Sequence, residues 1–216
     1  MAHIFIKIAL SEFESELITV EKYASCAQQW AAFTHPRGVP RFAPHHRDKF
    51  VEMAFLSAFQ AWEEFLEETF TLYLLGKRPP RGRRLYSNVP VQTRNNARVL
   101  LLGGKQYLDW SPCQQIHTHN RTMFQDPENT YFNSLNTIEK PLDEISKVRN
   151  AIAHRTKSSW DTFTTIVRNK LRGTYPPNLS VGGFLISTVP SSAPPATFLD
   201  HYLDQLRYGA SLVVPM

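Results

Sequence analysis

The chain is 216 residues long, 42% apolar and 20% charged, with a formal net charge of +5. That supplies a core for one domain with at most an appendage, and it argues against wholesale disorder. The positive balance favours an anionic partner, nucleic acid first, while two cysteines far apart in sequence, Cys26 and Cys113, make no disulfide framework and point to a reducing cytoplasm.

In chain order, the opening "HIFIKIAL" alternates weakly and fits a short strand. Lys7 sits inside its apolar run and no small-residue cleavage site follows, so it does not read as a secretory signal. No run approaches the ~20 apolar residues of a membrane helix. Residues 11–33 read as a helix: Ser11 with Glu14 matches a capping box, and Phe13, Leu17, Val20 and Ala24 mark a buried stripe. "THPRGVPRFAPHHR" is broken by prolines and a glycine and is a loop. From about residue 45 to 75, Phe50, Met53, Ala54, Ala58, Ala61, Phe65, Phe70 and Leu74 hold helical spacing, ending at Gly76.

"GKRPPRGRR" stops regular structure, and "VLLLGG" predicts a short helix ending at Gly103. "DWSPCQQIHTHNRTMFQDPENTYF" reads as irregular at first and helical from about residue 128. Residues 138–154 make a clear helix, with Pro141 near its start, and "WDTFTTIVRNKL" makes another. "GTYPPNLSVGGFLISTVPSSAPP" reads as a proline-rich, strand-like loop region, and "ATFLDHYLDQLRYG" as an amphipathic helix. Five to six helices with little strand predict an all-α bundle. The expected organisation is a helical domain over 1–170, with a proline-rich segment and a C-terminal helix over 171–216 packed on it.

The sharpest stretch is "KVRNAIAHRT", residues 147–156. With Leu142 at zero and a turn of ~100° per residue, Ile145, Val148 and Ile152 fall within roughly 60° of one another and define a core stripe. Arg149 lies on its shoulder. Asn150 and His154 are i, i+4 neighbours on one face, and Ser146 and Ala153 form a small-residue strip between them and Arg149. Arg149 and His154 diverge by about 140° at that rise, so a second copy packed across the strip would bring two arginines and two histidines together. The chemistry that fits is cleavage of the RNA backbone. An imidazole can take the 2′-hydroxyl proton or protonate the leaving 5′-oxygen. A guanidinium can clamp the non-bridging oxygens and stabilise the pentavalent charge. The same residues are also common on helix surfaces.

"RNAIAH" resembles the R-x4-6-H signature of the HEPN superfamily, with four intervening residues and a polar residue, Asn150, after the arginine. The aromatic and acidic mix of "LSAFQAWEEFLEETF" is similar to the second helix of stand-alone prokaryotic members. The specific match is these six residues, and the looser one spans about 50–155. The resemblance implies a HEPN-like bundle with a C-terminal helical extension and a long irregular loop. It implies a metal-independent endoribonuclease, working as a homodimer on RNA, of the kind found in toxin–antitoxin and phage-defence systems. Arg149 and His154 would be catalytic and Asn150 would assist, with Glu63 or Glu64 as supporting acid and a cognate antitoxin or defence protein as partner. Two other readings stand beside it: a catalytically silent HEPN-like module that binds RNA, nucleotide or a partner protein, and a helical protein in which the motif is accidental.

Lys77, Arg78, Arg81, Arg83 and Arg84 crowd one short loop suited to tracking RNA phosphates, each contact adding salt-dependent affinity. Cys113, His117 and His119 are potential zinc ligands, but they lack a fourth ligand and the paired-cysteine spacing, so no metal or cofactor is expected. Trp62 with Phe55, Phe59 and Phe65 reads as core rather than as a base-stacking platform.

Overall fold

A computed structural model describes residues 4–32, 42–106, 108–110, 113–173, 176–190 and 192–216. The protein is all-α. Its helices are α1 (Ile4–Ala32), α2 (Pro44–Leu74), α3 (Arg94–Leu102), α4 (Cys113–Met123), α5 (Thr130–Asn133), α6 (Glu139–His154), α7 (Lys157–Lys170), α8 (Val181–Leu185) and α9 (Phe198–Val213), with a 3-10 turn over Ser134–Ile138 leading into α6. Among the described residues, β pairing is limited to two isolated bridges, Ser87 with Phe124 and Thr188 with Thr197.

The opening segment is helical, not a strand. Ile6, Ala9, Leu10 and Phe13 are all buried at three- and four-residue spacing, and they continue into the buried Leu17, Val20 and Ala24. Ser11 therefore lies inside α1 and caps nothing; its carbonyl accepts the Ser15 hydroxyl at 2.8 Å. The proline-rich loop expected before α2 falls largely on 33–41, outside the described residues.

Helix α2 runs as expected, and Ala54, Ala58, Ala61, Phe65, Phe70 and Leu74 of its expected stripe are buried; the stripe differs at its start. Val51, Ala54, Phe55, Ala58, Phe59 and Trp62 are buried, whereas Phe50 and Met53 are exposed. At ~100° per residue those two lie away from the stripe that Val51 begins. The helix ends in a Schellman turn: Gly76, at φ 68°, donates its N–H to the Tyr73 carbonyl, and Lys77 donates to Leu72. Thr93 caps α3, and Gly103 at φ 52° ends it. Two stretches expected to be irregular are helical. α4 begins at Cys113, and α8 begins after Ser180, whose hydroxyl accepts the Gly183 N–H at 2.9 Å.

The chain forms two compact units, each assembled from separated segments. The first comprises 1–15, 61–143 and 205–216, and the second 16–60 and 144–204. In the first unit, Phe70 packs among Phe132, Trp110 and Phe124, with ring centroids 4.1, 5.2 and 5.4 Å away. Tyr73 stacks on Tyr131 and donates its hydroxyl to the Val213 carbonyl at 2.6 Å. In the second unit, an aromatic chain runs from Phe163 to Phe184, Phe198, Tyr202 and Phe55. This chain joins residues beyond 180 to α2 and α7 in the core of the second unit, and the Tyr202 hydroxyl reaches Glu144 on α6.

Candidate functional site

The core stripe expected on α6 is buried: Leu142, Ile145, Val148 and Ile152, joined by Ala151. Within the second unit, this burial orients the motif residues. Arg149 and Asn150 are half-buried, while Ala153 and His154 are exposed and Ser146 is half-buried. The Arg149 guanidinium lies over the Phe59 ring, 5.2 Å from its centroid, and donates through Nη1 to Asn150 Oδ1 at 2.9 Å. Stacking engages the flat face of the guanidinium, whose N–H groups lie in its plane, the geometry by which a guanidinium meets an oxyanion. The Asn150 amide turns towards the arginine rather than towards the imidazole.

His154 is the last residue of α6. Arg155 leaves the helix at φ 47°, in the left-handed region, and Thr156 starts α7 by accepting the Ser159 N–H at 3.2 Å. The imidazole thus stands at a sharp helix-to-helix corner. No family model matches the chain, and neither does any curated protein or solved structure.

The other expected site residues sit in the first unit. Glu63 is half-buried and Glu64 exposed on α2. The basic loop after α2 is structurally engaged. Lys77 Nζ lies 5.3 Å from the Phe5 ring centroid, and the Arg84 guanidinium lies 5.5 Å from that of Tyr86. Arg83 pairs with Asp126, and the backbone N–H of Arg81 donates to the Pro215 carbonyl at 3.1 Å. The Arg78 and Arg81 side chains are exposed.

Cys113, His117 and His119 all lie on α4. Among the described residues, no group of three histidine, cysteine or acidic side chains stands close enough to hold a metal ion. Burial, then Glu139 and Asp143, push the Cys113 thiol up to about 12, so it remains protonated and is a poor nucleophile. Burial, then Lys105, lower the pKa of His119. Among the described residues, no helix is long and apolar enough to cross a membrane.

Sequence reasoning missed an acid in the second unit. Glu52 is buried on α2, where its carboxylate accepts from Lys49 Nζ at 3.1 Å, Arg155 Nη2 at 3.4 Å and the Gly182 N–H at 3.3 Å. The one available signal was its place beside Val51 and Ala54 on the apolar face of α2. Its partners, 103 and 130 residues away, could not be inferred from spacing.

Proposed function

We propose that the protein is a metal-independent endoribonuclease of HEPN type, acting in the cytoplasm as a homodimer, in a toxin–antitoxin or defence setting. The observation that carries this reading is the motif's setting. The stripe beneath "RNAIAH" is buried, with Arg149 stacked on Phe59 beside Asn150 and His154 exposed at the end of the same helix. In the reaction, the 2′-oxygen attacks phosphorus as its proton passes to a base, and the P–O5′ bond breaks as an acid protonates the leaving oxygen. His154 would supply one of these proton transfers. Arg149 would stabilise the charge on the non-bridging oxygens. The nucleophile belongs to the substrate, so the step requires no metal. Asn150 holds the guanidinium, and in the first unit the loop that carries the exposed Arg78, Arg81, Arg83 and Arg84 is suited to binding RNA phosphates.

Purified protein should cut RNA but not DNA of the same sequence, leave a 2′,3′-cyclic phosphate on the 5′ fragment, and keep its activity in excess chelator. Arg149→Ala should lower kcat on the order of 100-fold. His154→Ala should do so on a similar ~100-fold scale, with folding intact because neither residue lies on the buried stripe. Cleavage undiminished in the double variant, or lost to chelator and restored by a divalent ion, would refute the mechanism. Tight RNA binding without cleavage across structured and unstructured RNAs would instead identify a binding module.

A further inference from the structure

Arg155 adopts a backbone conformation that non-glycine residues rarely take, at φ 47°, directly after His154. Such a conformation persists where its surroundings over-determine it. The surroundings here include a buried carboxylate. Glu52 divides its two oxygens between two tasks. Oε1 accepts the Gly182 N–H and ties α2 to α8. Oε2 receives the Arg155 guanidinium and Lys49, whose side chains are 65% and 51% exposed while that of Glu52 is 8% exposed. The anchor is therefore fixed and dry, and the arm that reaches it comes from solvent. Burying a charge at this point adds little net stability, because desolvation offsets the attraction, but it is demanding of geometry.

We propose that Glu52 is a positioning residue for His154, acting through Arg155. By holding the Arg155 side chain, it fixes the left-handed turn that ends α6 and so the direction in which the last residue of that helix presents its imidazole. The inference rests on the ribonuclease reading for its catalytic consequence, but not for the clamp itself. It adds to the expected supporting acids, Glu63 and Glu64, one on the same helix that the second unit contains.

The test uses the full chain and an RNA that the wild type cuts. Arg155→Ala and Glu52→Gln should each lower kcat about ten-fold or more, as misplacement of a reacting group does, with KM unchanged. The double variant should be no worse than the worse single variant, because both break one contact. Arg155→Lys, still charged and long, should recover most of the activity. If Glu52→Gln fails to fold, the two Arg155 variants carry the test, since that side chain lies mostly in solvent. An unchanged kcat in Arg155→Ala overturns the proposal. So does a raised KM in Arg155→Ala alone, which would make Arg155 a direct RNA contact. A second readout needs no substrate: in Arg155→Ala, backbone 15N relaxation at His154 and Arg155 should report a looser final turn. Unchanged relaxation overturns the clamp. If the wild type cuts no RNA, this measurement alone decides the clamp, while the cleavage assay has decided the function.

Discussion

Neutral histidines are built into both units, and they set how the protein responds to acid. His119 is buried, and its Nε2 lies 3.0 Å from Gln115 Nε2. An amide nitrogen can only donate, so the imidazole nitrogen accepts and the ring is neutral in this arrangement. His201 is shifted the same way, by burial and then Lys170, against the opposite pull of Glu144 and Asp204. Both native pKa values lie below the unfolded one of about 6.5, so on acidification the unfolded chain takes up protons first. The stability these groups confer is complete above about pH 6.5 and is lost as the pH falls below it. The urea midpoint should therefore drop between about pH 7.5 and pH 5, before most carboxylates titrate. His119→Gln should flatten that fall. A midpoint constant over this range, or an equal slope in the variant, would contradict the assignment of the neutral ring.

At the level of helices, α8 approaches α2 closely in the second unit. A Cβ built on Gly182 would stand 2.0 Å from the Asp48 carbonyl oxygen, which is backbone and cannot yield. In the first unit, a Cβ on Gly209 would meet the side chains of Ile138 at 2.8 Å and Trp62 at 2.9 Å. Gly182→Ala should therefore cost about 1–3 kcal/mol, the usual range for overpacking, and more than Gly209→Ala, where the contacts are less close and are to side-chain atoms rather than backbone. Chemical denaturation of the two variants measures the difference; equal losses would mean that α8 can shift.

The same helices show what was legible in advance. The α6 stripe could be read because its four apolar residues repeat at helical spacing among polar ones. "HIFIKIAL" could not, because an almost continuous apolar run fits either period until burial of Ile6, Ala9 and Leu10 decides. α4 buries Cys113, Ile116, His119 and Asn120, so half of its inward face is polar and a search for apolar periodicity passes over it. α8 is short and contains two glycines, and its signals were a serine cap and a distant carboxylate. The motif residues could be picked from the sequence, but the Phe59 stack and the Glu52 clamp depend on contacts that only folding creates.

Over the whole molecule, each unit draws on segments far apart in the chain, and each includes residues from both sides of position 170. A fragment ending at Lys170 would strip the second unit of Phe184, Phe198 and Tyr202, including the Tyr202 hydroxyl that donates to Glu144 at 2.7 Å. It would also strip the first unit of the Val213 carbonyl that receives Tyr73. Far-UV circular dichroism of that fragment should show much less helix than 1–170 contributes to the full chain, with no cooperative melt. A cooperative melt would show that 171–216 is dispensable. The interleaving also gives the protein a clock. During synthesis, the "RNAIAH" stretch is made well before the residues near 202 that complete the second unit, and at roughly 5–20 residues per second that lag is a matter of seconds. A nascent chain therefore carries the whole motif for a time without α8, α9 and the Glu52–Gly182 contact, and translation itself delays completion of the unit that holds the candidate site.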